Sequence, residues 1–238
     1  MDKTTAAAIP FTAAEGINIE TAVAAKPFQD WLAAVDSTRF TVRGVHFQSL
    51  DMFGPVKVGF IKFKADVVDA VGKPISGIIF MRGGAVGMLV VLTCKGKKFA
   101  VLTVQPRIAS GRFDFVEIPA GMLDGSGNFG GVAAKELKEE LDMEIPAEDL
   151  INLTAFAGYP GGTFVSPGGT DETLRLFAYE KEVTEEELAD INGRCTGLVE
   201  ENEQITLKTA ELDTLWRIDD AKTVTAYTLY KQWLAAQK

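Results

Sequence analysis

The sequence predicts an α/β fold: an α/β/α sandwich with a mixed sheet over residues 76–238, preceded by a small β-rich piece within residues 1–75. Three observations predict it. From about Ile78 onward, apolar runs of strand length alternate with helical patterns. Between Phe40 and Val68, two strand-like runs follow one another, the second alternating with period two. With 238 residues, 47% hydrophobic and 24% charged, the chain is long enough for one large core or a core with an appendage.

Residues 1–18 are alanine-rich and weakly patterned, and are expected to be loose. A short helix is expected over Phe28–Val35, with Trp31, Leu32 and Val35 as its apolar face. Strands follow at Phe40–Phe47 and Val56–Val68, with a turn at Asp51–Pro55. The second strand changes phase at Phe60-Ile61, which suggests a bulge. Met88–Cys94 and Phe99–Gln105 read as strands joined through Lys95-Gly96-Lys97-Lys98. A glycine-rich loop, Gly121–Gly131, leads into a helical stretch that reaches about Met143 and is stopped by Pro146. Leu153–Ala157, Leu174–Tyr179 and Glu203–Thr209 read as further strands. Thr184 and Glu187 have the spacing of a capping box. Asp220–Gln237 is an amphipathic helix with Val224, Leu229, Trp233 and Leu234 available for burial. Trp31, Trp216 and Trp233 are expected to pack in the interior, and His46, the single histidine, reads as structural.

The formal net charge of −9 argues against nucleic-acid or anionic-membrane partners. An anionic substrate must then be met by local arginines or by metal. The longest apolar runs, such as Met88–Leu92, are too short to span a bilayer. The N-terminus has no basic region leading into an apolar core, so a secretory signal is not expected. Cys94 and Cys195 lack metal-type spacing and read as free thiols of a reducing compartment, the cytoplasm being expected with an organelle left open.

Chemistry concentrates in Lys135–Met143. Glu136, Glu139 and Glu140 stand at i, i+3 and i+4, which on a helix gathers three carboxylates on one face. Their mutual repulsion calls for a positive partner, and a hard divalent cation suits oxygen donors. Acidic helix faces are more often solvated surface. What separates this one is Gly121, fourteen residues before Lys135, at the end of Ile118-Pro119-Ala120-Gly121.

This segment resembles the Nudix box: Gly, five residues, Glu, seven residues, then Arg-Glu-aliphatic-any-Glu-Glu-any-Gly-aliphatic. Gly121, Glu136, Leu137, Glu139, Glu140 and Met143 match, while Gly127 stands for Glu, Lys135 for Arg and Asp142 for Gly. The carboxylates survive; the Glu–Arg brace between loop and helix does not. Further segments resemble the ADP-ribose and ADP-sugar pyrophosphatase branch, closest to plant-type ADP-sugar diphosphatases. They are Met81–Ala85, Val104–Ile108, Ile118–Leu123, Ser166–Glu172 and Glu201-Asn202-Glu203. The resemblance covers about residues 40–236.

It implies a Nudix-type α/β/α domain at 76–238 and an N-terminal piece at 1–75 that serves dimerisation and the substrate. It implies Mg²⁺-dependent hydrolysis of ADP-ribose or ADP-glucose to AMP and a sugar phosphate, with Mn²⁺ a possible substitute and a homodimer as the working form. It places Glu136, Glu139, Glu140 and the Ala120 carbonyl on metal, with Glu139 also among the catalytic groups. Glu172 is implied as general base, with Asp171 a rival next door. Arg82, Arg107 and Gly168 are the substrate-binding candidates and Arg112 a weaker one; Phe47 or Phe53 is a candidate to stack on a base. UDP-glucose, dinucleotide polyphosphates and oxidised nucleotides remain alternative substrates, and a non-hydrolytic ADP-ribose sensor an alternative class.

Overall fold

The computed structural model describes residues 9–123, 130–134, 138, 145–197 and 204–238. Two compact units form it. One is Met1–Gly83 with Ser166–Glu172; the other is Gly84–Val165 with Thr173–Lys238.

The first unit is a small sheet backed by two helices. Strand β2 (Phe40–Phe53) pairs antiparallel with β3 (Lys57–Asp69), which also carries β4 (Pro74–Ile75) and β5 (Ile78–Met81). The segment expected to be loose contains β1 (Phe11–Ala13), which adds to β2 in parallel. Its pairing also explains His46, whose ring nitrogen shares a 2.9 Å hydrogen bond with Thr12 Oγ1. The phase slip on β3 falls at Gly59, one residue before the expected position: Asp51 faces Phe60 while Met52 faces Val58. Gly59 lets the Phe53 ring lie over it, since a Cβ there would meet the ring at 2.6 Å and displace it. Helices α1 (Ile19–Ala24) and α2 (Lys26–Ala34) cover the inner face, where Phe28, Phe47, Ile61, Phe63 and Met81 are buried. Phe28 lies within 6 Å of four other rings, including Trp31 at 5.6 Å and Phe47 at 5.1 Å. Phe47 is therefore core and not a base-stacking residue.

The second unit is a mixed sheet with helices on both faces. Its central strand, β6 (Ala85–Cys94), runs parallel to β12 (Thr173–Glu182) and antiparallel to β7 (Lys97–Arg107). Strands β10 (Ile151–Asn152) and β11 (Thr163–Phe164) flank β12, and β14 (Ile205–Glu211) links β7 to β13 (Cys195–Thr196). The β6–β7 turn is Lys95-Gly96 with φ of +48° and +76°, the positive-φ pair of a type I′ hairpin. Side chains of β6 are buried on both faces, as expected of a strand roofed twice. Leu89 and Val91 pack toward α4 (Leu153–Phe156) and α6 (Ala221–Ala236). Met88, Val90 and Leu92 pack with Val132 and Ala133 of α3 (helical at 130–134) and with Leu188 and Ile191 of α5 (Glu185–Ile191).

Two expectations fail here. Leu153–Ala157 is not a strand. Asn152 accepts the Ala155 N–H at 2.9 Å and caps a helical turn, and so short an apolar run carries no period to separate the two states. Trp216 is 57% exposed, stacked under Arg217 instead of buried.

Polar contacts tie α6 to the sheet. Tyr230 Oη donates to Glu180, which also receives Lys98 Nζ at 2.6 Å. Burial pushes the Glu180 carboxyl up, but the bonds from Lys98 and Tyr230 and the Lys98 charge bring it below its ordinary value. A depressed carboxyl stabilises the fold above its unfolded pKa, about 4.3 for Glu, and loses that contribution as pH falls through the folded value. The stability difference between wild type and Glu180→Gln is thus expected to be full at pH 7 and to shrink below about pH 4, checked by urea unfolding across that range.

Candidate active site

In the second unit, the site grows from a gap in the sheet. Beyond Val91 and Ala100, β6 and β7 no longer pair with each other. Strand β8 (Arg112–Glu117) pairs with the far half of β7, and β9 (Ala120–Met122) pairs with the near end of β6. The two residues between them, Ile118 and Pro119, turn the chain from one strand to the other. Gly87 faces Ala120 and lets Leu176 and Ile118 approach, since a Cβ on it would lie 2.9 Å from Leu176 Cδ2 and 3.3 Å from Ile118 Cδ1. Ala120 is thus set in a ladder, half-buried, at the start of the box.

Glu136, Glu139 and Glu140, with Lys135, Gly127 and Asp142, lie outside the described residues, as does Glu201-Asn202-Glu203. Among the described residues no group of three or more acidic, His or Cys side chains is placed to hold a metal. Donor chemistry supports the sequence assignment: three carboxylates and a carbonyl are hard oxygen ligands of the kind Mg²⁺ takes.

Arg107 is 42% exposed and donates from Nε to Glu117 Oε1 at 2.6 Å, while Glu117 is only 2% exposed. Lys222 of α6 reaches the other Glu117 oxygen, and Asp220 at 3.0 Å. Glu117 keeps a cation even when Arg107 turns outward. Sequence reasoning passed over Glu117, although it falls in phase with Phe113 and Phe115 along β8. Arg112 is tied to Asp219 at 2.5 Å and lies over the Phe115 ring.

In the first unit, the Ser166–Glu172 loop packs on β5. Phe80 N–H donates to the Gly169 carbonyl at 2.8 Å, and Ser166 O receives the N–H groups of Gly169 and Thr170. Gly168 is the exposed turn residue between these anchors. Asp171 Oδ1 accepts the Arg82 N–H at 2.8 Å, and its two oxygens share the Gly83 N–H at 3.1–3.2 Å. Gly83 has φ of +78°, so this acid holds a left-handed corner. Asp171 is thereby spent on backbone. Glu172 is 18% exposed and meets Arg82 Nη1 at 3.0 Å. Arg82 Nε is buried and has no hydrogen-bond partner among the described residues. The loop thus brings together a carboxylate and an arginine with a spare donor. Phe53, the other stacking candidate, is 41% exposed and edge-on to Phe60.

Comparison with known proteins agrees with this topology. The NUDIX domain model matches residues 81–227. Nudix hydrolase 14, chloroplastic, of Arabidopsis thaliana is 39% identical over 216 residues, covering 86% of this chain and 69% of that protein. A crystal structure of an ADP compounds hydrolase superposes with a TM-score of 0.55 over 84% of this chain and 96% of the other, at 14% identity, which is a likeness of fold. No described helix is long and apolar enough to cross a membrane. With a family model spanning most of its length and a relative this similar, the chain belongs to the Nudix hydrolase family.

Proposed function

We propose that the chain hydrolyses the diphosphate bond of ADP-sugars, ADP-ribose or ADP-glucose, to AMP and a sugar phosphate, with Mg²⁺ or Mn²⁺ bound. The observation that carries this reading is the Arg82–Glu172 pair: an acid to take a proton beside a guanidinium whose Nε has no partner among the described residues. A planar guanidinium suits bidentate contact with phosphate. Substrate oxygens that engage Arg82 would compete with Glu172 for it and leave the carboxylate available to accept a proton from water. We assign the metal to Glu136, Glu139, Glu140 and the Ala120 carbonyl. Bound there, it would neutralise phosphate oxygens and acidify water. Arg107, half-exposed and replaceable on Glu117 by Lys222, is the second phosphate or ribose contact. Gly168 leaves open space beside that loop, where a Cβ would meet nothing within 4 Å. The fold likeness to an ADP compounds hydrolase points to the same substrate class.

The test is a panel of ADP-ribose, ADP-glucose and UDP-glucose with Mg²⁺, followed by AMP or UMP release. The expected result is a higher kcat/KM for an ADP-sugar, and loss of about 10²–10⁴-fold in kcat on Glu172→Gln. A preference for UDP-glucose, or no ADP-sugar turnover, contradicts it. The changed brace at Gly127 and Lys135 favours a second reading, a sensor that binds ADP-ribose without cutting it. Tight binding without turnover in the unmutated protein would select that reading.

We also assign homodimer formation to the N-terminal unit, supported by its exposed Met52, Phe53, Ile78 and Phe80. Light scattering that finds a fully active monomer contradicts this.

A further inference from the structure

Three of the buried polar residues of the second unit, Glu117, Asp220 and Thr223, converge on one short stretch of backbone. That stretch is Ile118-Pro119, between the end of the β8 ladder and the start of β9. It has no strand partner of its own, yet the Ile118 N–H and the Pro119 carbonyl are both met. Ile118 N–H donates to Thr223 Oγ1 at 3.0 Å. The Pro119 carbonyl accepts Met88 N–H at 2.9 Å, and proline has no N–H to satisfy. On the near side, the Glu117 carbonyl faces Thr103 Oγ1 at 3.4 Å.

Thr223 is itself held. Its hydroxyl donates to Asp220 Oδ2 at 2.6 Å, which orients the oxygen lone pairs toward Ile118. The same Asp220 oxygen accepts Thr223 N–H at 2.9 Å and caps α6. Lys222, between them in sequence, bonds Asp220 through Nζ and the buried Glu117 carboxylate. The first turn of α6 therefore grips the residues immediately before Ala120 from one side, while β6 grips them from the other. The hydroxyl of this fully buried threonine is satisfied on both sides, donating to Asp220 and accepting from Ile118.

We propose that Thr223, oriented by Asp220, is a positioning residue: it fixes the Ile118–Ala120 corner, and through it the Ala120 carbonyl offered to the divalent cation. The inference rests on the metal assignment made above. It also gives the corner a support from α6 in a chain whose Gly127 and Lys135 no longer supply the family's loop-to-helix brace. Outer-shell partners that hold a ligand in place typically change metal affinity by about 10–100-fold when removed.

The test is Mn²⁺ binding to the full-length protein, read from the free-ion EPR signal, for wild type, Thr223→Val and Thr223→Ser. Valine keeps the shape and removes both bonds; serine keeps both. The expected result is an Mn²⁺ dissociation constant raised about tenfold in Thr223→Val and close to wild type in Thr223→Ser, with unchanged far-UV circular dichroism. A merely structural threonine would lower Tm without moving the metal affinity of the folded protein. Folded Thr223→Val that binds Mn²⁺ as tightly as wild type overturns the inference and leaves the diphosphatase reading standing. If Thr223→Val does not fold, Thr223→Ala, which also removes both hydroxyl bonds, takes its place, and wild-type affinity there overturns the inference equally. Wild-type protein that binds no Mn²⁺ removes the metal assignment and this inference together.

Discussion

Glu140→Gln is expected to lower kcat for the preferred ADP-sugar by about 10³-fold, equivalent to about 4 kcal/mol of transition-state stabilisation. The substitution keeps size and one oxygen but removes the charge proposed to hold the cation. On the proposed reading, three carboxylates spaced i, i+3 and i+4 along a helix would repel one another without a cation, which is the argument for assigning Glu140 to the metal. If the metal acts mainly on the breaking bond, KM should change far less than kcat. Steady-state kinetics over a range of Mg²⁺ concentrations checks this, and added Mg²⁺ should not restore the rate. A drop below tenfold would show that Glu140 is not a principal ligand. The same variant separates the two classes considered above, because a sensor has no turnover to lose.

The largest stability effect is expected at Glu117. It is the least exposed carboxylate among the described residues and has two cationic partners, Arg107 and Lys222. Glu117→Leu leaves Lys222, itself only 12% exposed along its side chain, without its main counter-charge. Breaking such a pair from one side costs about 3–5 kcal/mol, which for a chain of this size lowers Tm by about 10 °C. Replacing both partners, Glu117→Leu with Lys222→Met, is expected to recover much of the loss, since no buried charge is then stranded. Thermal unfolding of the three proteins checks it; a double variant no better than the single one contradicts it. By contrast, Lys95 and Glu185 are both mostly exposed, and removing their ion pair should change Tm little.

Local signals were legible in the sequence. The Thr184–Glu187 capping box is present with both of its hydrogen bonds, the Lys95-Gly96 turn closes the β6–β7 hairpin, and α6 begins at the Asp220 cap. Each depends on residues within four positions of one another, where propensity and turn chemistry act directly. Leu153–Ala157 was misread because a four-residue helix is decided by its cap and not by any period. Residues 11–13 seemed featureless because β1 exists only through its partner β2.

Polar pairing across the fold was not legible. Lys222 and Glu117 are 105 positions apart, and nothing local marks them as partners. Likewise, the choice between Asp171 and Glu172 could not be made from two adjacent acids. The structure gives the two different partners: Asp171 lies on the backbone of Arg82 and Gly83, and Glu172 on the Arg82 side chain. Arg82 and Arg107 stand out for their guanidinium chemistry, but the partner of Arg82 lies 90 positions away on a loop and that of Arg107 ten positions away on the neighbouring strand. The carboxylate trio is a reading of sequence spacing alone, since Glu136, Glu139 and Glu140 lie outside the described residues.

The most direct test is a crystal structure of the protein with Mg²⁺ and a non-hydrolysable ADP-sugar analogue. The account expects at least one cation within about 2.1 Å of oxygens from Glu136 or Glu140 and from the diphosphate. A well-occupied analogue with no cation at that cluster would contradict it.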